Sequence, residues 1–165
     1  MKLGWIVIVV PALALGQSGP LHIKTAVDAY HAGEAAARAK QFPEAASRFK
    51  KAIVIEPTYR DAFDGLISTY LAAGRRPDAA AAMTQLLEIE PNITRYRLLL
   101  GQILLEQSQA ERALAQFSFV LKLEPSNADA LLGFATAARK MGMADRAADA
   151  IERGRLQYPS DSRFK

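Results

Sequence analysis

Residues able to do chemistry are few in this chain. It has two histidines, His22 and His31, and no cysteine. The histidines stand nine residues apart, which is neither an HExxH arrangement nor the i, i+4 spacing that puts two imidazoles on one helix face for zinc. His31 is therefore expected to be a surface helix residue. Asp61 and Asp64 share one helix face, and paired carboxylates can act as general acid and base. Capping of a helix N-terminus and solvation explain the two acids more simply. No GxGxxG, GxxxxGK[ST] or GxSxG stretch occurs. The expectation is a protein that is not an enzyme, with no catalytic residue, no cofactor and no metal.

The charges do not point to nucleic acid either. The formal charge is +4 and half of the residues are hydrophobic, so the chain can bury a core. Its basic residues are scattered among acidic ones, and no long basic run exists that would neutralise a phosphate backbone. Several charges fall at i, i+4 helix spacing: Glu34 with Arg38, Glu44 with Arg48, Asp149 with Arg153. Pairs at that spacing are the mark of solvated helix faces.

The N-terminus has its own logic. One lysine is followed by an uncharged apolar stretch from Leu3 to Leu15 and then by small residues, the layout of a secretory signal. Thirteen helical residues span about 20 Å, short of the ~30 Å hydrocarbon layer, and Pro11 weakens the span further. Residues 1–16 are expected to be removed as a signal peptide, with cleavage after Gly16 and Ala12-Leu13-Ala14 as the other possible site. That places the protein in the periplasm or outside the cell, with a membrane anchor through the uncleaved segment as the alternative. After cleavage no stable membrane span is expected. A lipid anchor is excluded, because the LALGQ stretch has Gln17 where a lipoprotein box needs cysteine. Without disulfides, an exported chain depends on packing alone.

Stepping outward to the elements that must carry these residues, one interval dominates. Pro57, Pro91, Pro125 and Pro159 lie 34 residues apart, and Ala45, Ala79, Ala113 and Ala147 keep the same interval twelve residues before each proline. Four residues after each alanine stands a bulky apolar residue: Phe49, Met83, Phe117 and Ile151. A further column reads Gly33, Ile67, Gly101 and Ala135. Proline removes an amide donor and pushes its predecessor out of the α region, so it ends a helix. Thr58 with Asp61, and Ser126 with Asp129, have capping-box spacing and are expected to start the next one.

This pattern resembles the tetratricopeptide repeat, whose 34-residue unit carries W-x2-L-G-x2-Y, then A-x3-F, then P. The resemblance runs from Ala26 to Pro159; Phe63, Leu66 and Tyr70 keep its first half best in unit two, and the outer units depart from it most. It implies an all-α solenoid of antiparallel helix pairs, a right-handed superhelix of eight helices. Turns at Lys40-Gln41, Gly74-Arg75-Arg76, Ser108-Gln109 and Gly142-Met143 would divide the pairs. Residues 17–25 would form a lead-in, 26–59, 60–93, 94–127 and 128–161 the four repeats, and 162–165 a tail.

In that family the first helix of each unit lines a concave groove that receives a peptide or partner protein. Carried over by position, the groove residues would be Tyr30, Glu34 and Arg38; Asp61, Asp64 and Ser68; Arg95, Leu98, Gln102 and Leu105; and Asp129, Leu132, Thr136 and Arg139. The family's lysine, asparagine and arginine clamp for a C-terminal carboxylate matches only at Arg95. The resemblance thus implies an exported, non-catalytic scaffold for a protein or peptide partner. A structural alternative is self-assembly into a homo-oligomer through uncovered ends, or an N-terminal part of a longer array, because the family's closing helix is missing and apolar surface around Leu132, Ile151 and Leu156 is expected to stay open.

Overall fold

A computed structural model describes residues 20–165; the expected signal peptide lies outside them. The helices are α1 Pro20–Arg38, α2 Phe42–Ile55, α3 Arg60–Ala72, α4 Arg76–Ile89, α5 Thr94–Glu106, α6 Ala110–Leu123, α7 Ala128–Lys140 and α8 Ala144–Gln157. From α4 onward each helix begins 34 residues after the one two before it, and a closing 3-10 turn, Ser162–Phe164, keeps that register. No described helix is long and apolar enough to cross a membrane.

The prolines act as the sequence requires. Glu56, Glu90, Glu124 and Tyr158 are C-caps with φ between −131° and −123°, outside the helical region because a proline follows. Their own N–H groups still donate to Ala52, Leu86, Val120 and Gly154, each at 2.8 Å. The next start differs from the expected capping boxes. The N-caps are Tyr59, with no side-chain bond, and Asn127, whose Oδ1 accepts from the Ala130 amide at 2.9 Å. Thr58 instead donates its hydroxyl to Glu56. The residues just after each proline are used in a turn closed by Tyr59 N to Glu56 O and by Asn127 N to Glu124 O, both 3.0 Å, so the helix begins later.

Within each unit the turn is a left-handed residue, Lys40, Gly74, Ser108 and Gly142, at φ 57°, 71°, 60° and 74°. The residue after each one donates back five positions, at 2.8–2.9 Å. This is the Schellman closure of a helix C-terminus.

Packing explains the columns. Ala45, Ala79 and Ala113 are 0% exposed and Ala147 is 3%, so the hairpin helices approach where a larger side chain would hold them apart. Phe49 is wedged between Gly33 of α1 and Gly65 of α3, and Phe117 between Gly101 of α5 and Gly133 of α7. A Cβ on any of these glycines would meet the ring at under 3 Å. In the same columns the central junction carries Ile67, Met83 and Leu99, and α3 and α5 make no approach comparable to α1–α3 and α5–α7. The second helices of neighbouring units do not approach in this way at any junction, which puts the first helices on the inner side of the stack.

The C-terminal end is more covered than the sequence implied. Phe164, 2% exposed, sits against Gly154 in a cluster with Leu131, Ala135, Ala147 and Ala150, and Leu132 and Ile151 pack on it. Leu156 stays 74% exposed.

Candidate peptide-binding groove

The inner face is built by α1, α3, α5 and α7, each turning its small or bulky core residues toward the second helices and leaving the residues between them on the open side. At the N-terminal end, the Tyr30 hydroxyl donates to Glu34 at 3.2 Å, and His31 Nδ1 lies 3.1 Å from the other oxygen of that carboxylate. The Tyr30 ring stands 5.7 Å from Phe49 and 5.3 Å from Tyr59. The hydrogen bond with His31, then that with Tyr30 and the charge of Arg38, hold Glu34 below the usual carboxylate range. Burial and the nearby charges of Glu34 and Asp61 push both tyrosine hydroxyls up. Asp61 is exposed and makes no hydrogen bond or ion pair among the described residues.

The middle of the face is held by a three-residue clasp. Asp64 accepts from the Tyr96 hydroxyl and from Arg95, both at 2.7 Å, and the Arg95 guanidinium lies 4.5 Å over the Tyr96 ring. Burial, followed by the bond to Asp64, pushes the Tyr96 hydroxyl up to about 12. Two residues expected to await a partner are thus joined to each other, across the junction where the first helices stand farther apart. Arg95 keeps its side chain 60% exposed.

Beyond the clasp, Leu98 and Leu105 are half-buried and pack on the core, Gln102 is exposed, and Leu132 is half-buried with its carbonyl accepting from Thr136 at 2.8 Å. Asp129 is tied to Arg163 at 2.8 Å. Arg139 is exposed and borders a cavity of about 390 Å³ at the C-terminal end with Ala147, Ile151 and Phe164. The fourteen residues therefore fall into a tyrosine and carboxylate group, a clasp, an apolar strip and a terminal rim.

Tyr30, Glu34, Arg38 and Ser68 also surround a cavity of about 320 Å³ between α1 and α3, completed by Ala37, Phe42, Phe49, Gly65 and Ala72. Sequence reasoning missed this cavity and Tyr59 and Tyr96. The signal was present as a comparison of columns: 68 residues on, Ala37 becomes Leu105 and Ala72 becomes Lys140, while Phe42 becomes Ala110, so the two junctions place their bulk differently.

The arrangement defines an α-solenoid of helix hairpins with one continuous inner face. The tetratricopeptide repeat model matches residues 36–103 and 104–165, and the chain belongs to the tetratricopeptide repeat family. A solved structure of MamA protein is similar with a TM-score of 0.72 at 20% identity, covering 86% of this chain and 77% of that one. YrrB, described as a TPR protein with an unusual peptide-binding site, gives 0.67 at 22% identity over 84% of this chain and 72% of YrrB. At such identities the likeness is one of fold. DnaJ homolog subfamily C member 3 of Bos taurus is 32% identical over 88 residues, 53% of this chain, and the chain spans 18% of that relative's length.

Proposed function

We propose that the protein is an exported, non-catalytic scaffold that holds a peptide or a segment of a partner protein along the inner face of its first helices. The observation that carries this is the division of labour in the helices. Ala45, Phe49, Ala79, Met83, Ala113 and Phe117 complete the core from the second helices, while the first helices keep Asp61, Ser68 and Gln102 exposed on a face that the core does not use. Family membership and the peptide-binding site named for YrrB support the same function. A site-specific photo-crosslinker tests it: in the full chain expressed in its own cells, Gln102 on α5 is expected to trap a partner, and Gln85, exposed on α4, is not. Trapping from Gln85 alone would reverse the assignment of faces.

Export rests on the Leu3–Leu15 stretch. It predicts a mature N-terminus at Gln17, and an N-terminus at Met1 in the cytoplasmic fraction would contradict it. Self-association has one observation in its favour, the exposed Leu156 near the end of α8. Light scattering showing a concentration-independent monomer would remove it.

A further inference from the structure

We infer that the cavity between α1 and α3 is an anchor pocket for one aliphatic or aromatic side chain of an extended peptide, and that the peptide residue two positions from it is lysine or arginine. This rests on the proposed peptide-binding function and adds the chemistry of the ligand.

The pocket is made by omission. Ala37, Gly65 and Ala72 present little side chain to the cavity, the buried Phe49 ring lies beneath it, and Phe42 closes one side. At about 320 Å³ it lies at the low end of ligand cavities, a size suited to one side chain rather than to a whole small molecule. Sixty-eight residues further along, the same position beside a phenylalanine and glycine pair carries Leu105 in place of Ala37, half-buried on the core. The array fills this place itself at its third junction and leaves it open at its first. A peptide side chain with the shape of leucine would restore at α1–α3 the apolar contact that Leu105 makes at α5–α7.

Charge complementarity selects the neighbour. Of the charged groups at the mouth, Glu34 is already met by Tyr30, His31 and the charge of Arg38, and Asp64 by Arg95 and Tyr96. Asp61, one turn before Gly65 on α3, is the carboxylate with no hydrogen bond or ion pair among the described residues. It stands near the Tyr30 and Tyr59 rings, close enough that its charge helps raise both hydroxyls. A carboxylate beside two aromatic rings favours a cation, through charge pairing and through the ring faces. In an extended peptide successive side chains point to opposite faces, and residues two apart stand roughly 6.6 Å apart on one face, close to the ~5.4 Å turn of helix between Asp61 and Gly65, so the basic residue comes two positions from the anchored one.

The test is selection of a random dodecamer library on the immobilised full chain, followed by fluorescence anisotropy of the selected peptides. Expected are peptides that share an aliphatic or aromatic residue two positions from lysine or arginine. Ala37→Leu, which copies the residue the fold already holds at 105, should weaken them tenfold or more. Asp61→Asn should weaken them severalfold and flatten the salt dependence of binding. Leu98→Arg, in the apolar strip, serves as the groove control. Peptides that lose affinity in Leu98→Arg but keep it in both Ala37→Leu and Asp61→Asn would overturn the anchor pocket and leave the groove function standing. No selected peptide, or peptides indifferent to all three changes, would overturn both.

Discussion

Gly133→Ala is the sharpest test of how the hairpins stack. Alanine is favoured over glycine in a helix interior by about 1 kcal/mol, so propensity alone predicts stabilisation. The structure predicts the opposite sign. A Cβ at 133 would fall within 2.7 Å of three atoms of the Phe117 ring, against an ordinary carbon contact of about 3.5–4.0 Å. The ring tip could swing away if it had room, but on its far side a Cβ at Gly101 would also meet it at 2.6 Å, and Phe117 is 0% exposed. With no direction of retreat the overpacking cost belongs in the upper part of the usual range, about 2–3 kcal/mol. Subtracting the propensity gain leaves a net loss of about 1–2 kcal/mol, a fall in Tm on the order of 2–8 °C for a chain of this size. Phe117→Leu in the same chain should recover part of that loss, with a favourable coupling of about 1 kcal/mol in chemical denaturation. A Gly133→Ala protein that melts higher than the parent, or a double change that is merely additive, would refute the clamped ring.

Ser108→Gly should stabilise by about 1 kcal/mol in thermal denaturation, because Ser108 occupies at φ 60° the column that Gly74 and Gly142 fill and a side chain is strained there. Ala113→Leu should cost about 1–3 kcal/mol or more, since that Cβ is fully buried at a helix crossing; a neutral result would place the crossing elsewhere. Tyr96→Phe should change the alkaline limb of stability. The folded hydroxyl is raised to about 12 from an unfolded value near 10, so the unfolded chain releases its proton first. Tyr96 therefore contributes stability that is present below pH ~10 and lost as pH rises toward 12, and the phenylalanine variant should show a shallower decline over that window. An identical decline in both proteins would mean that the hydroxyl is neither buried nor bonded to Asp64 as the structure has it.

The proline, alanine and aromatic columns were legible because each answers a local demand that the backbone makes wherever it occurs: stop a helix, let two helices touch, fill the space one turn on. The helix starts were not. Thr58 and Ser126 have capping chemistry, but the preceding proline forces a turn, and the turn consumes them before the helix begins. Pairings across units were equally hidden. Asp64 lies on α3 and Arg95 and Tyr96 on α5, and spacing within one helix says nothing of a bond to the next, so Asp64 and Arg95 looked like independent groove residues. The α1–α3 cavity is a property of what Ala37, Gly65 and Ala72 lack, which emerges only when columns are compared across junctions. Phe164 was overlooked because a terminal tail has no period of its own, although it falls in the column of Ala62, Tyr96 and Ala130.

Hydrogen–deuterium exchange with and without a saturating selected peptide bears most directly on the claim that the first helices form the binding face. Binding to that face should slow exchange in α1 and α3, and with a longer ligand in α5 and α7, while α2, α4, α6 and α8 change little. Protection concentrated in the second helices, or spread evenly over both sets, would contradict it.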